Sequence, residues 1–330
     1  MDFTPVWFMR QAGRYLPGYR EIRKNYGVLQ AAKTPSVCEE IALMPVKELG
    51  VDVAVMFADI MLPLEGMGVK FRIEENVGPI IDSPIRTRED VERLESFDPE
   101  MHTPYVLEAI RRVRAKLDQS GHALVGFAGA PFTIASYLIE GEPTREFAKT
   151  KKLMFSEPKT WRLLMSKLTT MTGEYLSAQI DVGVDAIQLF DSWVGALSAR
   201  DYEEFVSPFV VEIFRKIASE HPDTPKIHFG TNTRHLLELM RKNSADVFSI
   251  DWRTPIDDAR KILGDSKAIQ GNLDPAVLLS ENKEFVAERT QRVLDDNGGL
   301  PGHIFNLGHG ILRDTPVENA KFVVDYVHTH

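Results

Sequence analysis

The chain has 330 residues, 43% of them hydrophobic and 26% charged, with 39 Lys and Arg against 48 Asp and Glu. These are the proportions of a globular protein with a large core, and a net charge of −9 gives no overall field to draw nucleic acid or an anionic membrane, so any anion must be caught by a local patch. The lone cysteine, Cys38, excludes an internal disulfide and a multi-thiolate metal site and points to a reducing, cytoplasmic setting. No signal-peptide pattern stands in the first 30 residues, and no apolar run is long enough to span a bilayer.

Short apolar runs rich in β-branched and aromatic residues recur along the chain, and each reads as a strand. In order they are PVWFM (residues 5 to 9), VDVAVMF (51 to 57), ALVGFAG (123 to 129), AIQLFD (186 to 191), KIHFG (226 to 230), VFSIDW (247 to 252), KAIQGN (267 to 272) and HIFNLGHG (303 to 310). Helical patterns fill the gaps. Thr103 and Pro104 predict the start of one helix and Gly121 its end, Ser198 opens an amphipathic run through Ser219, and Thr315 with Pro316 opens the last. Alternation in VKFRI and a turn at Gly78 and Pro79 predict a small hairpin inserted after the second strand.

Nearly continuous apolar strands separated by helices predict a parallel sheet covered on both faces, and eight such units predict a single-domain (β/α)₈ TIM barrel over residues 1 to 330. An open doubly wound sheet is the other arrangement of the same alternation. No Gly- or Pro-rich linker divides the chain.

In a barrel the C-terminal ends of the strands share one mouth. The residues expected there are Arg10, Asp59, Asp191 with Ser192, Thr231, Asp251, Gln270 with Asn272, and Asn306 with His309. Four arginines, Arg10, Arg14, Arg20 and Arg23, follow the first strand, and guanidinium forks at one loop suit a ligand with several carboxylates or phosphates. Arg20 with Lys24 fits a solvated helix face as well. Asp59 fits either an ion pair with Arg10 or an acceptor for ligand N–H groups and a counter-charge to a cation formed in reaction. His309 lies between two glycines in NLGHG, which let backbone approach a ligand closely. Tyr137 fits a hydrogen-bonding phenol at the mouth or a core aromatic with a wet tip. The sequence has no GxGxxG, P-loop, GxSxG or HExxH pattern, and no His pair has metal-ligand spacing with a carboxylate or thiolate.

MRQAGRYLPGYR, FADI (57 to 60), GFAGAPFT (126 to 133), LFDSWVG (189 to 195), QGNLDP (270 to 275) and NLGHG (306 to 310), in this order, resemble the uroporphyrinogen decarboxylases of haem biosynthesis. The resemblance runs from Pro5 to the last helix. It implies a homodimeric TIM barrel that needs no metal or organic cofactor and removes CO₂ from the four acetate arms of uroporphyrinogen III to leave coproporphyrinogen III. It implies that Arg10, Arg14 and Arg23 hold substrate carboxylates and that Asp59 accepts the pyrrole N–H groups from beneath the macrocycle. Tyr137, Ser192 and His309 match the remaining polar cleft residues, and Phe190 an aromatic beside the ring. Asp59, Arg10, Tyr137 and His309 are thereby the expected catalytic set. A pyrrole protonated at the ring carbon bearing the acetate would serve as its own electron sink.

Three positions depart from the family pattern. The lead-in before the first strand is nearly absent, which bears on closure of the barrel bottom; Glu142 stands where a glycine is usual, adding negative charge near the anion site; Arg313 replaces a proline in the last loop. Corrinoid-dependent methyltransferases share the barrel superfamily but use a His and Cys zinc set, for which Cys38, near the first helix, is misplaced. A non-catalytic tetrapyrrole carrier would gain nothing from a carboxylate such as Asp59 in an anion pocket. A sugar-phosphate barrel would show a glycine-rich phosphate loop after its last two strands, a part that QGNLDP and NLGHG could mimic.

Overall fold

A computed structural model describes residues 3 to 74 and 77 to 330. Among the described residues nine strands form: β1 (Val53–Val55), β2 (Phe71–Glu74), β3 (Gly78–Ile81), β4 (Ala123–Gly129), β5 (Ala186–Asp191), β6 (Lys226–Gly230), β7 (Val247–Ser249), β8 (Ala268–Gln270) and β9 (His303–Ile304). Seven make one parallel sheet in the order β1, β4, β5, β6, β7, β8, β9, so every neighbour is reached by a crossover that lays helices on the outer face. β2 and β3 form the separate antiparallel hairpin, with Phe71 opposite Ile81.

The first expected strand, residues 5 to 9, is reduced to a single parallel bridge between Val6 and Phe305. Its amides are claimed by side chains instead of a ladder: Val6 N–H donates to Asp52 Oδ2 at 2.7 Å, Phe8 N–H to Gln11 Oε1 at 3.0 Å, and Met9 N–H to Asn306 Oδ1 at 2.8 Å. The segment still closes the ring. Trp7 N–H donates to Phe305 O on the β9 side, and Val6 O accepts from Asp52 N–H on the β1 side. Asp52 also takes His328 Nε2 at 2.9 Å, so the last helix is tied to the bottom of the barrel.

Two local expectations change. Gly78 and Pro79 lie inside β3, opposite Glu74 and Ile73, and do not make the expected turn. The run after Ser198 breaks into Ala199–Phe205 and Ser207–Glu220, because Pro208 has no N–H to continue the first helix and fits the opening turn of the second. Ser198 does cap the first, accepting Asp201 N–H at 3.1 Å. Thr103 precedes Pro104–Leu117 as expected, with its hydroxyl turned back to Pro99 O.

The barrel interior carries a polar layer among its aromatics. Gln270 Nε2 donates to Gln188 Oε1 at 3.0 Å and Ser249 Oγ at 2.8 Å, while Gln270 Oε1 accepts from Trp7 Nε1 at 3.2 Å. Gln270 and Asn306 are fully buried, so both leave the expected mouth set. Their amides instead lock strand ends, since Asn306 Oδ1 also accepts Leu307 N–H. Asn272 likewise holds the β7 loop, donating to Asp251 O and Thr254 O.

Candidate active site

Arg10 ends the first segment with φ at 60°, a left-handed backbone that a non-glycine residue adopts only where its surroundings enforce it, at a cost of about 1–3 kcal/mol. Its aliphatic stem lies across Gly310, where a Cβ would come within 2.5 Å of Arg10 Cδ. Ile311 N–H donates to Met9 O at 2.8 Å, fastening the last loop to the first even with Arg313 in place of proline. Gly308 serves a different contact: a Cβ there would stand 2.3 Å from Trp252 N. The glycines around His309 therefore admit Arg10 on one side and the β7 loop on the other.

Asp59 sits after β1 in a half-buried position, its Oδ1 accepting Met61 N–H at 2.9 Å. Burial raises its pKa, and the Met61 amide and Arg10 charge pull the other way. The Asp59 charge in turn raises the Tyr137 phenol, after burial and against Arg10 and a Trp193 hydrogen bond. Burial first and then Arg10 push His309 down to about 4, with Asp251 opposing and Arg253 adding to the fall. His309 is thus a neutral imidazole at neutral pH. Arg10, Asp59, Tyr137 and His309 feel one another across one mouth.

Arg14 is exposed and Arg23 half-buried, and both act on Tyr19, whose phenol is raised by burial and lowered by the two guanidiniums. Arg23 is held by Tyr26 O at 3.0 Å, and the Tyr19 ring meets Phe57, two residues before Asp59, at 5.9 Å. Arg20 is more than a solvated charge. Its Nη1 donates to Arg14 O at 3.0 Å and Tyr15 O at 2.9 Å, so it braces the loop that carries Arg14.

Phe190, at the end of β5, stands edge-on between Phe127 at 5.3 Å and Phe229 at 5.5 Å. Phe229 continues to His309 at 6.3 Å, and His309 to Trp252 at 6.4 Å, so a row of rings walls the mouth. Ser192 follows Asp191 at the same end, and its carbonyl takes the Thr231 hydroxyl. Asp191 itself is buried at the base of this wall, accepting from Thr133 Oγ1 at 3.3 Å.

The sequence reading passed over three side chains. Trp193 packs on Tyr137 at 6.0 Å, and Trp252 and Arg253 follow Asp251 on the β7 loop. An arginine just beyond a strand-ending aspartate was the available signal for the last of these. Glu142 is exposed beside a crevice it shares with Tyr137, Phe147 and Trp193. Cys38 is buried, with its thiol on Phe57 O at 2.9 Å and its pKa pushed up to about 12 by burial.

The family model described as uroporphyrinogen decarboxylase (URO-D) matches residues 1–330. The chain belongs to the uroporphyrinogen decarboxylase family. It is 50% identical over 329 residues to the uroporphyrinogen decarboxylase of Sorangium cellulosum, covering 99% of this chain and 93% of that protein. The Thermus thermophilus protein of the same name is 49% identical over 323 residues, 98% and 93% of the two chains. The one from Listeria monocytogenes is 45% identical over 328 residues, 99% and 92% of the two chains. Among solved structures, a methyltransferase from Methanosarcina mazei superposes with a TM-score of 0.81 at 19% identity, over 99% of this chain and 94% of that one, a likeness of fold alone. Among the described residues no helix is long and apolar enough to cross a membrane.

Proposed function

We propose that this chain is a carboxy-lyase of tetrapyrrole biosynthesis that removes CO₂ from the acetate arms of uroporphyrinogen III, acting as one catalytic domain. The observation that carries the reading is a half-buried carboxylate, Asp59, within reach of the Arg10 charge, on the side of the mouth from which the segment bearing Arg14 and Arg23 continues. A plain anion site gains nothing from that carboxylate, whereas a macrocycle with pyrrole N–H groups at its centre and carboxylates at its edge needs both.

The chemistry follows from electron counting. The C–CO₂ bond can break only if its electron pair has an acceptor conjugated to the departing carbon. Protonation at the carbon that bears the acetate, the initial expectation, leaves that carbon saturated and breaks the conjugation. Protonation at the neighbouring α-carbon makes a ring iminium joined through the ring to the acetate CH₂. CO₂ then leaves, the pair flows to nitrogen, the exocyclic methylene takes a proton to become methyl, and the α-proton returns to solvent. One proton is consumed per CO₂ released.

Asp59, ionised beneath the ring, favours the cation over the neutral ground state, and that difference is what accelerates the step. Arg10 holds the reacting acetate by its fork and is too weak an acid to supply the proton directly, so the relay runs through ordered water at the mouth. Tyr137, Ser192 and His309 bind the arms as neutral groups, Phe190 packs beside the ring, and Arg14 with Arg23 takes distal carboxylates. This route asks nothing of a metal or organic cofactor. A homodimer working in the cytoplasm completes the reading, in line with the low cysteine content and the family resemblance.

Anaerobic incubation of the purified protein with uroporphyrinogen III and a chelator tests it. Stepwise appearance of seven-, six-, five- and four-carboxyl porphyrins after oxidation is expected. Unchanged eight-carboxyl porphyrin from folded protein would overturn it.

A further inference from the structure

Arg10 and Arg14 lie on the loop after the first barrel segment and Arg23 on the helix Pro17–Asn25 that follows it, so on the proposed reading all three would grip a ligand from that side of the mouth. A disc-shaped macrocycle with carboxylates all round its edge presents others to the far side. Three steps away round the ring, past β9 and β8, the loop after β7 carries Arg253.

This arginine is fixed before any ligand arrives. Its guanidinium stacks 4.0 Å from the centre of the Trp252 ring, and its Nη1 donates to Asp251 Oδ2 at 2.8 Å. Asp251 is 1% exposed and is already committed, accepting the Arg253 backbone N–H at 3.0 Å and the Asn232 N–H. One corner of the fork is therefore pinned to a buried carboxylate, while 49% of the side-chain surface remains open at the rim. Trp252 is itself immobilised, with its amide against Gly308 and its ring against His309. His309 lies between Arg10, across Gly310, and the Trp252 and Arg253 pair, and both cations lower its pKa.

A surface ion pair held only for stability would not need an aromatic shelf or a buried partner that already accepts two backbone N–H groups. Stacking and pinning remove the rotamer freedom that an arginine otherwise loses on binding, which is how a carboxylate site is preorganised. We propose that Arg253, shelved on Trp252 and pinned by Asp251, is a second carboxylate anchor of the mouth, across His309 from Arg10, and helps set the preference for a polycarboxylate macrocycle. This rests on the uroporphyrinogen reading above.

Arg253→Gln and Arg253→Lys in the full chain test it. In the glutamine variant KM for uroporphyrinogen III rises about tenfold or more with kcat within about twofold, the scale of one lost charge-assisted hydrogen bond to substrate. The lysine variant keeps the charge facing Asp251, and hence the loop, but loses the fork, so its KM rises by a smaller factor. In substrate-free protein the His309 titration, followed by NMR, moves upward in the glutamine variant because a neighbouring cation has gone. An unchanged KM in both variants of an active enzyme overturns the anchor and leaves the decarboxylase reading standing. Should the glutamine variant fail to fold, the lysine variant decides alone, an unchanged KM again overturning the anchor. If wild-type protein does not turn over uroporphyrinogen, both fall together.

Discussion

Arg10 and Gly310 are in contact: the arginine stem fills the space that any Cβ at position 310 would occupy, at 2.5 Å from Arg10 Cδ. The first and last loops of the chain thus meet at the residue expected to hold the reacting carboxylate. Gly310→Ala should displace the fork rather than the fold, because the clash is with a flexible side chain. The expected result is a fall in kcat/KM of roughly tenfold to a hundredfold with the thermal midpoint little changed, since misplacement of a positioning group by an ångström has that scale. Gly308→Ala meets the Trp252 backbone instead and should lower the thermal midpoint itself. Paired melting and kinetic measurements on the two variants separate these effects.

Asp59 is expected to weaken the protein that uses it. Its folded pKa lies above its unfolded value because burial outweighs the Met61 amide and Arg10. The folded state then binds more protons over the intervening window, and stability falls as pH rises through it. Ionising this carboxylate is therefore a net burden on the fold. Asp59→Asn should therefore melt at or above the wild-type temperature at pH 7, and the difference should shrink as pH is lowered toward 4. A melting point well below wild type at pH 7 would contradict this.

His309 carries the opposite sign. Its folded pKa, lowered to about 4, lies below the ordinary value of 6.5, so the unfolded chain takes up a proton first as pH falls. Stability contributed by neutral His309 is complete above about 6.5 and is lost between there and about 4. NMR titration of substrate-free protein should put the His309 midpoint near 4, and kcat/KM should show no limb near 6.5 that disappears in His309→Gln. A midpoint near 6.5 would mean that the imidazole is far better hydrated than its position between Phe229 and Trp252 allows.

Cys38 should be chemically silent. With the thiol on Phe57 O and its pKa pushed up to about 12, thiolate is scarce at neutral pH. Native protein should react with a thiol reagent only after denaturation, and Cys38→Ala should keep activity within about twofold while losing roughly a buried methyl-sized contact in stability. Rapid labelling with loss of turnover would reopen a thiol-dependent reaction.

Much of the barrel was legible because a buried parallel strand needs an unbroken apolar run, and seven of the eight runs pair in one sheet. The first did not form a ladder, since Asp52, Gln11 and Asn306 compete for its amides, and such long-range side-chain capping leaves no periodic trace. Arg10, Asp59, Ser192 and His309 could be named from their places after strands. Tyr137, on the helix Pro131–Glu140, came forward through family resemblance and an ambiguous phenol. Gln270 was misplaced because a polar residue at a strand end can face the barrel interior as readily as the mouth, and only a partner such as Gln188 tells the two apart. Arg253 was missed since its meaning comes from its neighbour Trp252 packing on His309, which is remote in sequence and adjacent only when folded.

In the proposed mechanism the ionised carboxylate of Asp59 favours a ring cation formed during the reaction over the neutral substrate. Steady-state kinetics of Asp59→Asn with uroporphyrinogen III, beside wild type and on protein whose fold has been verified, test it most directly. In Asp59→Asn kcat should fall by at least about a hundredfold, the range of one preorganised electrostatic group, while KM changes by only a few fold. A variant that keeps kcat within twofold of wild type would show that the carboxylate has no part in stabilising the cation.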